Sequence, residues 1–218
     1  MMKNLLYKDF KLGISPFFYF LPVLTGALML IPGWLYFIVL MYFCFITIPN
    51  MFATYKTQND LMLSIMMPVT KKNIVKSRML SVITLELLHI IIAVFYAIIN
   101  KNLYNSATYI FLEPNFAFFG LVFIMFALFN IIFFPMFYKT AYKYGAPAIV
   151  SHAAIIIFAS VVELLALFNP SINMYLKGPD SNSIYLQVGI LGGGVVIFII
   201  SAIIAYKISV KRFGKVDI

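Results

Sequence analysis

Charge is what this chain has least of. Only 11% of its 218 residues are Asp, Glu, Lys or Arg, while 63% are hydrophobic. An average soluble domain carries about 25% charged residues, and a water-soluble fold of this length has too much surface to hide so much apolar side chain. A soluble globular domain is thereby excluded, and lipid is the solvent that fits. Cysteine is almost missing too. Cys44 stands alone inside an apolar run, which leaves no disulfide framework and no thiolate cluster. The only two histidines, His89 and His152, fall in different apolar runs. The phosphate-binding pattern G-x-x-x-x-G-K-[ST], the serine elbow G-x-S-x-G and the metal-binding H-E-x-x-H do not occur. ATP hydrolysis through a phosphate loop, serine hydrolysis and metal-assisted proteolysis are therefore outside what the chain does by itself. No catalytic residue, metal or cofactor is expected in it. A cleavable signal peptide is not expected either, because the first apolar run lacks a small-residue cleavage site and leads straight into a second.

What charge there is has one sign and a pattern. Sixteen basic residues against seven acidic give a net charge of +9. The basic residues lie between apolar runs and not along one exposed face, which speaks against nucleic acid as a partner. At roughly 20 residues per crossing, the runs divide into six spans, about 16–31, 34–54, 79–99, 115–137, 146–168 and 184–206, within a single transmembrane domain covering 1–218. The first two form a hairpin broken at Ile31-Pro32-Gly33-Trp34, a turn signal followed by an interfacial aromatic. The N-terminal arm, the 54–78 segment, the 138–145 loop and the tail hold 14 of the 16 basic residues, and the alternate loops hold only Lys101 and Lys177. The positive-inside rule puts that side, with both termini, in the cytoplasm. The Lys-, Ile- and Asn-rich composition adds an association with AT-rich bacterial genomes, so the expected location is a bacterial cytoplasmic membrane.

Residues 1–14 place Leu5, Leu6, Tyr7 and Phe10 on one broad helical sector and Lys8 and Lys11 outside it, as in a short amphipathic helix at the membrane surface. Between spans two and three, Asn59 and Asp60 are capping residues for a short apolar helix, Leu61-Met62-Leu63-Ser64-Ile65-Met66-Met67. Pro68 ends it, and Thr70 caps the next helix, which carries Lys71, Lys72, Lys76 and Arg78 into span three. Exposed leucines and methionines on such a helix need a cover. Either it rests on lipid headgroups, anchored by the lysines, or it docks in a groove of a cytoplasmic partner.

Four ionisable residues fall inside spans. Glu86 and His89, three apart on one helix face, sit at a depth similar to His152 on another helix, so that the three could meet; Glu163 lies near the outer end of span five. Intramembrane ionisable groups mark pathways or proton relays, and the structural alternative is that they lock helix packing. Gly189, Gly192, Gly193 and Gly194 open span six, with Gly189 and Gly193 in small-xxx-small spacing, which allows either a close helix crossing or a hinge.

The run Met67-Pro68-Val69-Thr70-Lys71-Lys72-Asn73-Ile74-Val75-Lys76, preceded by Asn59-Asp60, resembles an element of bacterial ABC-2 type permeases. The likeness is to the small six-span subunits of low-GC Gram-positive bacteria, which include permeases exporting phenol-soluble modulins. Met67 stands where Leu is usual and Lys71 where Arg is frequent, and neither departure alters the physical character. The resemblance implies an all-α polytopic membrane protein with six spans, an N-terminal elbow helix (about 1–14) and a cytoplasmic coupling helix between spans two and three. It implies a permease subunit working as a homodimer or heterodimer with two copies of a separate ATP-binding subunit, which would hold the ATP and Mg. Asn59, Asp60, Leu61, Met62, Ile65 and Met66 are then the expected contacts with that subunit. The Phe-, Tyr-, Met- and Leu-rich spans suit an amphipathic or hydrophobic cargo, and the resemblance implies an amphipathic or antimicrobial/toxin-like peptide. Export of drugs or lipid-like molecules, or peptide immunity or sensing without transport, are the alternatives.

Overall fold

A computed structural model describes residues 2–104, 109–178 and 180–216, and leaves out the side chains of Met2, Leu12 and Ile65. Among the described residues there are helices and no strands. The first, α1 (Met2–Lys8), runs into a π-helical turn, Asp9–Gly13. Next come α2 (Phe17–Gly26), which tightens into a 3-10 turn at Ala27–Leu30, and α3 (Tyr36–Thr57), which contains a π-helical turn at Phe43–Thr47. The short α4 (Asp60–Met66) precedes the long α5 (Lys71–Leu103). Then follow α6 (Phe116–Phe137), α7 (Gly145–Phe168), the short α8 (Pro170–Lys177) and α9 (Ser181–Gly214).

Five of these, α3, α5, α6, α7 and α9, are long and apolar enough to cross a membrane. The sixth expected span, 16–31, contains a helical stretch of only 14 residues, Phe17–Leu30. That is about 22 Å of helix, short of a hydrocarbon core about 30 Å thick. Its length is set by the sequence at both ends. Pro16 precedes the first turn, Pro22 lies inside, and Ile31-Pro32-Gly33 closes it with Gly33 at a φ of +74°. By contrast α5 and α9, with 33 and 34 residues, are about 50 Å long. They outrun the hydrocarbon and carry their basic ends beyond it. The Thr70 hydroxyl accepts from the Asn73 N–H at 3.3 Å, so the expected cap of α5 is formed.

The core is built around α6. It is the most buried of the five long helices, and α9 the least. Along α6, Phe129, Phe133 and Phe137 recur every four residues and stack with ring centroids 5.2 and 6.1 Å apart. Phe52 of α3 meets Phe133 and Phe137 edge-on at 4.8 and 4.7 Å, an arrangement aromatic quadrupoles favour. Helices α7 and α9 each pack extensively on α6 and hardly at all on one another. The arm, the 58–70 segment, the 138–144 loop and the end of α9 share one end of the bundle: Lys71 reaches the Val216 carbonyl at 2.8 Å and Arg212 that of Pro135 at 2.7 Å. This is the basic end of the bundle.

Candidate functional site

At the basic end four charged side chains are buried together. Lys8 of α1 donates to the Asp60 Oδ1 of α4 and to the Ser64 hydroxyl, both at 2.6 Å. Arg78 of α5 donates through Nη2 to Asp60 Oδ2 and, at 3.4 Å, to Asp9 Oδ1. Ser77 donates to Asp9 Oδ2 at 2.8 Å. The Tyr55 ring of α3 covers the guanidinium, whose central carbon lies 3.1 Å from the ring centroid. The four side chains are 3–11% exposed. Two positive and two negative charges cancel, which is the condition for keeping any of them out of water. Burial by itself would raise the Asp60 carboxyl, but the Arg78 guanidinium and the Lys8 ammonium hold it below its ordinary value.

This cluster decides how α4 is presented. Asp60 and Ser64, one turn apart, both face inward onto Lys8. The other face is apolar and open: Met62 is 57% exposed, Leu63 51% and Met66 77%. Asp60, expected both as a cap and as a partner contact, is turned into the protein. Asn59 occupies the capping position with a left-handed backbone, φ 48°, and its side chain makes no capping bond. Leu61 is half-buried, Asn59 is exposed, and the Ile65 side chain lies outside the described residues. Sequence reasoning missed Lys8, Asp9, Ser64, Ser77 and Arg78. The available signal was scarcity: Asp9 and Asp60 are the only acids before Glu86, each beside an apolar run.

The mid-bundle residues take separate hydrogen-bond partners. Asn130 of α6 donates to Glu86 Oε2 of α5 at 2.9 Å. The His89 Nδ1 faces the Leu85 carbonyl at 3.3 Å, and since a carbonyl only accepts, Nδ1 carries the proton. His152 instead serves α3. In the π-helical turn the Ile48 N–H bonds to the Phe43 carbonyl, and the next residue, Pro49, has no N–H to offer. The Cys44 carbonyl, left over, accepts from His152 Nε2 at 2.8 Å. Phe129 stacks on the other side of that imidazole. His152 is thus spent on satisfying a backbone group, as buried polar atoms require. Glu86 and Asn130 join α5 to α6. Glu86→Gln preserves both the size and the acceptor, and should change stability by less than about 1 kcal/mol. Thermal unfolding in detergent checks this; a loss of several-fold that size would mean that the carboxylate charge itself is needed.

At the opposite end Glu163 is buried and accepts from the Leu112 N–H at 3.1 Å. Lys177 donates to the Tyr109 and Ile110 carbonyls at 2.9 and 3.0 Å, and Asn100 to that of Met29 at 2.7 Å. These polar residues tie loops to helix ends. Among the described residues no group of His, Cys, Asp and Glu has the makings of a metal site.

No curated protein and no solved structure matches the chain significantly. A family model described as "ABC-2 family transporter protein" matches residues 4–210. That span holds the whole ion-pair cluster, the exposed helix, four of the long apolar helices and α9 up to its last turn. Together with those helices, the match places the chain in the ABC-2 family of transporter proteins, as a membrane permease without an ATPase of its own.

Proposed function

We propose that this permease is the membrane subunit of an ATP-driven exporter and that α4 is its coupling helix. The observation that carries the reading is the contrast between the two faces of α4. One face is anchored by charge to α1 and α5, and the other presents Met62, Leu63 and Met66 to the surroundings. A displacement imposed on that apolar tip has a stiff route into α5, which runs the depth of the bundle. Arm residues 2–13 act as the elbow, held to the coupling helix through Lys8. Helix α2, with the residues flanking it, makes a short sixth crossing at the cost of local bilayer thinning. The basic end is cytoplasmic, in a bacterial cytoplasmic membrane. There the tip meets an ATP-binding subunit carrying ATP and Mg, two copies of which serve a permease dimer. Asn59 and Leu61 flank the contact, and Asp60 positions it without touching the partner.

For cargo the reading is an amphipathic peptide, supported by the aromatic and methionine-rich spans. Burial of a Leu or Met side chain contributes about 1.5–3 kcal/mol. Leu63→Asp with Met66→Asp should therefore weaken association with the ATP-binding subunit roughly a hundredfold or more. Co-purification in mild detergent, followed by ATPase assays with and without amphipathic peptides, reads both parts. Loss of the partner in the variant, with peptide-stimulated hydrolysis in the native pair, is the expected result. A variant that assembles and transports normally would remove α4 from the coupling role, and hydrolysis indifferent to peptides would remove the cargo.

A further inference from the structure

A second feature of the basic end lies away from the ion-pair cluster. Between the end of α6, the 138–144 loop, the start of α7 and the end of α9 is a cleft of about 560 Å³. Lys139, Lys143, Arg212 and Lys215 line it, and among the described residues no acidic side chain does; Asp217 lies outside those residues. The cluster under α4 is neutralised internally, whereas these four charges converge on an open space. The first turn of α7 also faces the cleft, through Ala146 and Pro147. Tyr144 caps that helix without a side-chain bond; Pro147 has no N–H, so the Gly145 and Ala146 amides and the positive end of a 24-residue helix add to the field.

We propose that this cleft binds a phosphate group, and that the phosphate is the headgroup of an anionic phospholipid in the leaflet at the basic end. The favoured source follows from what lies one helical turn deeper. On α7, Ile149 and Val150 stand three residues beyond the cleft-lining Ala146 and Pro147 and are 71% and 45% exposed. On α9, Ile208 stands four residues before Arg212 and is 38% exposed. Met136 lines the cleft, and Ile132 and Leu128, each one turn further along α6, are half-buried. Helices α7 and α9 pack on α6 and barely on each other, so apolar side chains of all three helices follow the cations one turn deeper. A phosphodiester with acyl chains matches that order of chemistry, charge at the rim and hydrocarbon below, while a free anion or an acidic protein segment uses only the rim. Bound there, a lipid would bridge α7 and α9, which hardly touch one another.

The test uses the purified full-length chain in nanodiscs or detergent and reads lipid retention by native mass spectrometry. The probes are phosphatidylglycerol, phosphatidylcholine and inorganic phosphate. Phosphatidylglycerol should be retained in preference to phosphatidylcholine. Lys139→Gln, Lys143→Gln and Lys215→Gln together should lower that preference roughly a hundredfold; Arg212 stays, because it also holds the Pro135 carbonyl. Lys3→Gln, Lys11→Gln and Lys72→Gln remove the same charge from exposed positions elsewhere at this end and should leave the preference intact. Millimolar inorganic phosphate should not displace the lipid; if it does, the site is one for free phosphate. Equal loss in both triple variants would reduce the effect to general surface charge. Full lipid preference in the first variant, with loss of the ATP-binding subunit, would make the cleft a protein-docking surface. Any of these three results overturns the proposal.

Discussion

Arg78→Ala should be among the most damaging single substitutions in this protein, costing about 3–5 kcal/mol of stability. Removing the guanidinium leaves Asp9 and Asp60 buried side by side with only Lys8 to neutralise them, and takes away the cation under the Tyr55 ring. The cost comes from stranded charge, not from the ion pairs being intrinsically strong. A buried pair is often no better than apolar groups of the same shape. For that reason Arg78→Met combined with Asp60→Asn should recover a substantial part of the loss, which thermal unfolding in detergent would register as non-additivity. The same geometry fixes a pH dependence. Asp60 titrates below its ordinary value of 3.8 in the folded chain, so the unfolded chain holds the proton more readily. Its contribution is complete above that value and drains away as pH falls through and below it. The native protein should therefore lose stability on acidification below about pH 4 more steeply than Asp60→Asn. Parallel acid titrations of the two would show otherwise if Asp60 were not held by its cations.

The features legible in the sequence are those governed by solvent. Apolar runs bounded by basic residues give α3, α5, α6, α7 and α9 because lipid demands them, and the Thr70 cap needs only a local side chain. What was not legible depends on distance along the chain. Lys8 and Asp60 are separated by 52 residues, and Cys44 and His152 by 108. Nothing local in Asp60 distinguishes a residue presented to a partner from one turned onto Arg78, since both readings place it at the start of a short helix. His152 looked like a relay candidate because histidine in a span is unusual. The reason for it lies in another span, where Pro49 leaves the Cys44 carbonyl without its partner. The short α2 is an intermediate case: Pro22 and the Pro32-Gly33 turn were visible, but their effect on helix length depends on where the 3-10 turn sets in. The glycines of the last span show the same limit most sharply, since spacing alone pointed to Gly189 and Gly193.

Gly194→Ala, and more strongly Gly194→Leu, should loosen α9 from the bundle. An added Cβ at Gly194 would run into the Gly120 carbonyl oxygen and lie 2.8 Å from its carbon. From the other side, a Cβ at Gly120 would lie 2.5 Å from the Ile190 carbonyl oxygen and 2.7 Å from the Leu191 Cα. All of these neighbours are backbone, so no rotamer change can yield. The helices themselves must separate, and overpacking of this kind costs about 1–3 kcal/mol, more for the larger side chain. Gly189, Gly192 and Gly193 meet nothing within 4 Å, so the small-xxx-small pair is not where α9 crosses α6. Gly193→Ala should accordingly be neutral or slightly stabilising, because alanine is the better helix former by about 1 kcal/mol. The seam matters because α9 packs on α6 more extensively than on any other element. Most of its surface is open, and its contacts to α6 include, beyond the glycine crossing, Phe198 on Phe123 at 5.6 Å and Arg212 on the Pro135 carbonyl. Limited proteolysis and thermal unfolding of the Gly193→Ala and Gly194→Ala pair separate the two glycines. Equal behaviour would mean that α9 meets its neighbour through the other face.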